Sequence, residues 1–189
     1  FRNFDVAYEK TSGDALLVYG TATADELRKI EWNGTSWTSD AAITTTRTTG
    51  TVEWVELTSR NASDQIGIAY ADTNDDVSAY RWSGTAAGNE ATGTITATAA
   101  TTNLRKMDVS FEGASGDMLV AAPLAAAGTT AIGHLTGSTW AIFANTQPDN
   151  VTAFIDLQEP NPSDDDIAMI AHGATAAGAN TMEGYEGNG

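Results

Sequence analysis

Short segments in which apolar and polar residues alternate recur along the whole chain. The first runs from Phe4 to Glu9 with an apolar residue at every second position, the period of a half-buried β-strand. After a Ser-Gly-Asp turn, the continuous apolar run from Ala15 to Tyr19 indicates a strand buried on both faces. Leu27 to Trp32 predicts a third strand, Asn33-Gly34 a two-residue hairpin, and Ser36-Trp37 the beginning of a fourth strand. No segment has a convincing helical period, so the chain is predicted to be all-β.

This pattern returns at a nearly constant spacing. Residues 4–18 align with residues 107–121 at an offset of 103, and a glycine follows the third strand of each copy at Gly34, Gly84, Gly137 and Gly187, with spacings of 50, 53 and 50. The period predicts one repeat domain over 1–189, with repeats at about 4–51, 52–104, 105–152 and 153–189.

A repeat of four short antiparallel strands every 40–50 residues is typical of a β-propeller blade. We therefore predict a β-propeller-like array of about four four-stranded antiparallel blades; the alternative is a β-sandwich pair, whose strands lack a fixed period. The first strands are expected to turn Phe4, Val6 and Tyr8, and their counterparts Met107, Val109 and Phe111, toward a neighbouring sheet. The second strands should be the most buried, at Leu16–Tyr19, Ile66–Tyr70, Met118–Ala121 and Ile167–Ile170.

Two resemblances to known propellers agree with this fold. The segments Gly34-Thr-Ser-Trp37 and Gly137-Ser-Thr-Trp140 resemble the end of the Asp-box turn of sialidase-like propellers, although the aspartate of that motif is absent. The rhythm of strands also resembles the blades of fucose-binding lectin propellers. The arginine and glutamate that hold the sugar in that family are replaced in the first repeat by Leu16 and Lys29. Both resemblances imply a propeller fold, and neither supplies the residues with which those families bind their ligands.

Composition excludes several classes of partner. Nine Lys and Arg face 25 Asp and Glu, so the formal net charge is −16. A surface this acidic repels phosphate backbones and anionic headgroups, and no apolar run reaches the length of a membrane span. We expect no nucleic-acid partner and no membrane insertion. The lysine-poor, threonine- and alanine-rich composition favours an extracellular or cell-surface protein.

Catalytic groups are scarce. The chain has no cysteine and only two histidines, His134 and His172, and no Ser-His-Asp motif is present. His134 takes the repeat position of Glu31 and Arg81, which favours an exposed strand residue. No spacing gathers three arginines as a sialidase-type site requires. The prediction is that the protein is not an enzyme.

A calcium site is the one cofactor that the sequence suggests. Asp72, Asn74 and Asp76 place oxygen donors at positions one, three and five of a calcium loop. Val77 and Ser83 stand where that loop has glycine and glutamate. Asp164–Asp166 forms a second acidic cluster, in the first turn of the last repeat.

Two tryptophans at equivalent repeat positions, Trp37 and Trp140, are candidates for stacking on a sugar, with packing between blades as the alternative. The fourth repeat ends before its fourth strand. We expect residues 1–3 to pair beside the last blade, or a partner chain to complete it, or the chain to be part of a larger protein.

These features predict a non-catalytic extracellular or cell-surface structural or adhesive module, such as a subunit of an appendage or other assembly. Its partners would be copies of itself or other surface-protein chains. The alternative is a glycan-binding, lectin-like propeller.

Overall fold

The structure is a computed structural model that describes residues 2–44, 50–88, 95–96, 107–124, 129–146, 152–159, 161–174 and 180–187. Within these ranges every regular element is a β-strand. The same residues contain no helix that is long and apolar enough to cross a membrane.

The strands form four separate antiparallel sheets, each built from consecutive stretches of chain. Sheet 1 contains β1 (Phe4–Tyr8), β2 (Ala15–Gly20), β3 (Glu26–Trp32) and β4 (Ala41–Thr44). Sheet 2 contains β5 (Val52–Ser59), β6 (Ile66–Asp72), β7 (Val77–Trp82) and β8 (Ala87–Gly88). Sheet 3 contains β9 (Asp108–Phe111), β10 (Met118–Pro123), β11 (Thr129–Thr136) and β12 (Thr139–Thr146). Sheet 4 contains β13 (Thr152–Gln158), β14 (Ile167–Ala174) and β15 (Asn180–Gly187).

Each sheet is a meander in which neighbouring strands are also neighbours in sequence. The hairpin after the third strand requires a left-handed backbone, and Gly34 takes a φ of 84° there. Gly84 and Gly137 have positive φ at the same place in sheets 2 and 3. The all-β prediction and these hairpins are confirmed.

The fourth strand of sheet 1 begins later than predicted. Trp37 makes only an isolated bridge to Trp32, and the regular strand starts at Ala41 and pairs with the beginning of β3. The Thr38 hydroxyl oxygen accepts a hydrogen bond from the Glu31 amide at 2.9 Å, and so takes a place in the ladder that a backbone carbonyl would fill. This interruption delays regular pairing.

The hydrophobic cores lie between successive sheets. We call the side of a sheet that faces the sheet before it in sequence its back face, and the other side its front face. Leu16, Val18 and Leu27 on the front face of sheet 1 pack against Ile66, Ile68, Tyr70 and Trp82 on the back face of sheet 2. The front face of sheet 2 and the back face of sheet 3 form a second core, and sheets 3 and 4 form a third. Each sheet is thus stabilised mainly by its neighbours in the array.

The expectation for the first strands is correct in sheet 3 and wrong in sheet 1. Met107, Val109 and Phe111 are 0–3% exposed against sheet 2. Their counterparts Phe4, Val6 and Tyr8 are 58%, 45% and 59% exposed. They lie on the back face of sheet 1, which none of the described sheets covers. Strand β1 instead contacts sheet 2 through the polar residue Asp5, and Glu9, directly after the strand, bonds to Trp82 of sheet 2 and is 6% exposed.

Burial of the second strands also depends on position in the array. In the interior sheet 2 all residues of β6 are buried. In sheet 1, Leu16 and Val18 are buried while Leu17 and Tyr19, which point to the back face, are only partly covered. Ile167 and Met169 of sheet 4 are buried, whereas Ile170 is partly exposed.

The described residues of the N-terminal segment, Arg2 and Asn3, pair with sheets 2 and 1 and not with the described strands of the last sheet, contrary to one of the expected outcomes. Arg2 forms a parallel bridge with Trp54 at the beginning of sheet 2, and its carbonyl accepts a hydrogen bond from the Val55 amide at 2.9 Å. The Asn3 carbonyl accepts from the Gly20 amide at 2.7 Å. This segment therefore ties sheet 1 to sheet 2.

Candidate functional site

The first strands of all four sheets line one cleft. Its volume is about 400 Å³, within the usual range for small-ligand sites. We call the first strand of each sheet (β1, β5, β9 and β13) its inner strand. The lining consists of Arg2 and parts of the inner strands and their ends: Asp5, Glu56, Leu57, Thr58, Ser59, Asp108, Val109, Ser110, Phe111, Leu157, Gln158 and Glu159. Carboxylates, hydroxyls, an amide and one guanidinium group supply its polar groups.

Arg2 is held in place by two carboxylates of the cleft. Its Nη1 donates to Glu56 Oε2 at 2.7 Å, and its Nη2 donates to Asp5 Oδ1 at 2.5 Å. The Arg2 side chain remains 45% exposed while that of Glu56 is only 5% exposed. Because a guanidinium carries five N–H donors, the group keeps donors that can reach a ligand in the cleft.

The acidic residues of the inner strands also connect the sheets. Asp5 Oδ2 accepts a hydrogen bond from the Leu57 amide of sheet 2 at 2.8 Å, and Asp108 Oδ2 accepts from the Leu157 amide of sheet 4 at 2.6 Å. Asp5 and Asp108 occupy the same repeat position, so the same contact recurs between different pairs of sheets. Because these carboxylates hold neighbouring sheets together, they are less available to act as catalytic groups.

The two candidate tryptophans have different environments. Trp37 is 50% exposed, and its ring lies 5.6 Å from that of Trp32 at an angle of 55°. Trp140 is 8% exposed and belongs to the core between sheets 2 and 3. The prediction that Trp140 stacks on a sugar is therefore corrected, because its ring is covered by protein. Only Trp37 presents a face to solvent.

The predicted calcium ligands lie in the turn between β6 and β7. Asp72 is fully buried at the end of β6, and its Oδ1 accepts from the amides of Asn74 at 2.9 Å and Asp76 at 3.0 Å. Its Oδ2 accepts from the Gly50 amide at 2.7 Å. The turn is thus organised by hydrogen bonds from backbone amides to the Asp72 carboxylate. Burial, and then the negative charges of Asp72 and Asp75, raise the pKa of Asp76. A calcium ion on these residues stays a prediction.

The second acidic cluster joins two sheets. Asp165 Oδ1 accepts from the Ser115 amide of sheet 3 at 2.6 Å, and the Asp164 carbonyl accepts from the Ala114 amide at 2.9 Å. Between sheets 1 and 2, Asp64 accepts from the amides of Thr11 and Ser12 in the equivalent turn. These aspartates attach one turn to the next, a role that the repeat pattern alone did not indicate.

A further group of titratable side chains lies near the ends of strands β9, β10 and β11 in sheet 3. His134 Nε2 is 3.5 Å from Glu112 Oε1 and 3.5 Å from Asp117 Oδ2. These ligand atoms could share one metal ion, and among the described residues this is the one group of three that could. His134 is half-buried, with its Nε2 unpaired by any hydrogen bond, and is not the exposed strand residue that was expected. The alignment of Glu112 and Asp117 with Glu9 and Asp14 was the sequence signal for this cluster.

Sequence reasoning missed the cleft itself. Arg2 and Glu56 are 54 residues apart in the chain, and no motif relates them. The available signal was the acidic residue repeated in the first strands, at Asp5, Glu56, Asp108 and Asp156, which the strand registers place at equivalent positions.

Comparisons with known proteins agree with the four-sheet architecture. No protein-family model matches the sequence, and a search of curated proteins gave no match. Among solved structures, a variant of the Aleuria aurantia lectin in complex with alpha-methyl-L-fucoside is 13% identical, with a TM-score of 0.51, over 92% of this chain and 55% of that chain. The intramolecular trans-sialidase from Ruminococcus gnavus in complex with oseltamivir carboxylate is 11% identical, with a TM-score of 0.50, over 97% of this chain and 42% of that chain.

The fold class is therefore all-β and β-propeller-like, built from antiparallel sheets arranged as blades. The chain spans about half the length of these two solved structures. At 11–13% identity these similarities establish the fold and nothing about the ligand.

Proposed function

We propose that this chain is a non-catalytic, glycan-binding propeller module that binds a neutral sugar in the cleft between the inner strands. The observation that carries the proposal is the polar lining of this cleft, to which all four sheets contribute. Sugar hydroxyls both donate and accept hydrogen bonds, and the lining offers carboxylate acceptors together with hydroxyl and guanidinium donors. One solved structure with a similar fold is a lectin in complex with a fucoside, which makes a sugar the first class of ligand to test.

The charge of the cleft favours a neutral ligand over an anionic one. Asp5, Glu56, Asp108 and Glu159 face a single arginine, Arg2. A carboxylate- or phosphate-bearing ligand would add a like charge to a site that is already negative, and the whole chain carries −16. A sialic acid is therefore a poorer ligand than an uncharged monosaccharide.

The arrangement of three of these carboxylates, Asp5, Glu56 and Asp108, supports binding without hydrolysis. Glycoside hydrolysis by the usual mechanism needs one protonated and one ionised carboxyl group on opposite sides of the scissile bond. Here Asp5 and Asp108 each accept a hydrogen bond from a backbone amide of the next sheet, and Glu56 is paired with Arg2. Groups fixed by such contacts are suited to orienting hydroxyls.

The proposal is tested by isothermal titration calorimetry with a panel of neutral monosaccharides that includes alpha-methyl-L-fucoside. We expect saturable binding that is lost in Arg2→Gln and retained in the control Arg28→Gln, whose side chain lies outside the cleft. Equal binding by both variants would show that the sugar binds outside the cleft. An absence of binding across the panel and on a glycan array would refute the function.

A second candidate function is a structural or adhesive module at an extracellular surface, which binds copies of itself or other surface chains. It is favoured by one specific observation, the exposed apolar residues of strand β1. In that role the module would bind no sugar in the calorimetric test.

A further inference from the structure

Glu112, Asp117 and His134 form a compact group within sheet 3. Glu112 directly follows β9, Asp117 directly precedes β10, and His134 lies in β11 near the hairpin to β12. The atoms Glu112 Oε1, Asp117 Oδ2 and His134 Nε2 all lie within 4.8 Å of one another. None of the three residues lines the cleft. We call them the sheet 3 triad, a group separate from the proposed sugar site.

The spacing of these atoms is too long for hydrogen bonds and suitable for a shared metal ion. His134 Nε2 lies 3.5 Å from each of the two carboxylate oxygens, whereas a hydrogen bond to nitrogen is about 2.7–3.2 Å long. The nitrogen atom is buried and has no hydrogen-bond partner. Two ligand atoms that each lie about 2.1 Å from a tetrahedral zinc ion are about 3.4 Å apart. An ion can therefore contact all three atoms with little movement of the side chains.

The turn between β9 and β10 holds the two carboxylates in position. Glu112 Oε2 accepts a hydrogen bond from the Ser115 hydroxyl at 2.7 Å, which leaves Oε1 directed at His134. The Glu112 amide donates to the Asp117 carbonyl at 2.9 Å and so fixes the two acidic residues relative to each other. The Glu112 side chain is only 6% exposed and that of Asp117 18%. Because covered carboxylates are unfavourable without a positive charge, a bound cation stabilises this pair.

The equivalent positions of sheet 2 carry positive charges of their own. The strand registers place Arg60, Gln65 and Arg81 where sheet 3 has its triad. Arg60 Nη1 donates to Gln65 Oε1 at 2.9 Å. Two guanidinium groups at these positions repel a metal cation, so sheet 2 has no such site.

The equivalent positions of sheet 1 carry three carboxylates, and groups of the protein already satisfy two of them. Lys29 donates to Glu31, the counterpart of His134. Glu9 Oε1, the counterpart of Glu112 Oε1, accepts from Trp82 Nε1 at 2.7 Å. In sheet 3 the registers place Ile132 at the position of Lys29, so this position supplies no positive charge to the triad.

We propose that Glu112 Oε1, Asp117 Oδ2 and His134 Nε2 bind one divalent transition-metal ion, for which zinc is the best match. An imidazole nitrogen selects a first-row transition metal over calcium and magnesium, which take oxygen ligands. Three protein ligands leave the fourth tetrahedral position to a water molecule, and the 27% exposure of His134 gives that water access. The ion joins β11 to the turn between β9 and β10 and thereby stabilises sheet 3.

The first test is isothermal titration calorimetry of the chelator-treated chain with zinc and, separately, with magnesium. We expect one saturable zinc site. His134→Gln and Asp117→Asn should each weaken zinc binding by about a hundredfold or more, since loss of a mere outer partner of a metal site costs about 10–100-fold. The matched controls are His172→Gln, which removes the other histidine, and Asp14→Asn, which changes the same repeat position in sheet 1. Both should leave the zinc Kd unchanged.

The second test is thermal unfolding with and without zinc. At a free zinc concentration about one hundred times Kd, Tm of the native chain should rise by about 5–11 °C, and Tm of His134→Gln should not rise. This variant is expected to fold because the position accepts Glu31 and Arg81 in the other sheets, and Asp117→Asn gives an independent result.

Three results would overturn the proposal. Zinc binding of equal strength in the native chain and in His134→Gln would place the ion elsewhere on the acidic surface. Equal affinity for zinc and magnesium would show attraction by the net charge of −16 alone. An absence of saturable zinc binding by the native chain would show that the triad holds no metal.

Discussion

The hydrogen bond between Trp82 and Glu9 provides a direct test of how the sheets are coupled. Trp82 Nε1 of sheet 2 donates to Glu9 Oε1 of sheet 1 at 2.7 Å, and both side chains are buried. Glu9 Oε2 accepts from the Ser12 hydroxyl at 2.6 Å, which fixes the carboxylate. Lys29 Nζ lies 4.5 Å from the centre of the Trp82 ring, so a positive charge stands close to the pair.

Replacing Glu9 by Leu leaves the indole N–H buried without an acceptor. A hydrogen bond to a charged group contributes about 1.5–3 kcal/mol, and an unsatisfied buried donor costs a similar amount. For a chain of this size, 1 kcal/mol corresponds to a change in Tm of about 2–4 °C. We therefore expect Glu9→Leu to lower Tm by about 3–12 °C, whereas Glu9→Gln keeps an acceptor oxygen and should cost less.

A double-mutant cycle in urea unfolding isolates the pair from the other effects of each substitution. Glu9→Leu, Trp82→Phe and the double variant should give a coupling energy of about 1.5–3 kcal/mol. Glu112→Leu combined with Trp82→Phe is the control, because Glu112 holds the same position as Glu9 in sheet 3 and accepts from Ser115. A Glu9–Trp82 coupling below about 0.5 kcal/mol would refute the idea that this bond joins the sheets.

Three further predictions concern close packing, charge and metal. A Cβ at Gly67 would lie 2.8 Å from a side-chain carbon of sheet 3, so Gly67→Ala should destabilise by about 1–3 kcal/mol in urea unfolding, whereas Gly88→Ala, with open space around it, should be neutral. Burial and neighbouring carboxylates raise the pKa of Asp76 above its unfolded value, so its ionised form opposes folding at pH values above the folded pKa. Asp76→Asn should accordingly raise Tm at pH 7, and this gain should vanish below the ordinary carboxyl pKa; a gain that persists at low pH would contradict the cause. Calcium bound by Asp72, Asn74 and Asp76 should raise Tm relative to chelator in the native chain and not in Asp76→Asn, and identical melting in calcium and chelator would exclude the site.

The local elements of this fold could be predicted from the sequence because each depends on residues close together in the chain. Period-two alternation and a continuous apolar run located strands β1 and β2, and the glycine of each hairpin located the turns. The offset of 103 residues between the first and third repeats relates sheet 1 to sheet 3 from the sequence alone. A repeat of this kind requires similar sheets that stack on one another, since each sheet leaves an apolar face that it cannot bury alone.

The tertiary structure alone decided which of these equivalent residues are buried. Phe4 and Met107 have the same place in the repeat and the same apolar character, yet one is 58% exposed and the other 0%. Sheet 2 covers Met107, whereas none of the described sheets covers Phe4, and no local pattern records this difference. The same cause separates Trp37 from Trp140, whose sequence contexts are nearly identical.

The candidate site was beyond the reach of sequence reasoning for a related reason. Arg2 and Glu56 meet only because the inner strands of different sheets converge on one cleft. Asp165 was visible as one of three consecutive acidic residues, but its partner, the Ser115 amide, is a backbone group that any residue could supply. Amino-acid type and spacing determine the strands and their repetition. Contacts between backbone groups and side chains some fifty residues apart exist only once the sheets have packed, because the packing sets the distances.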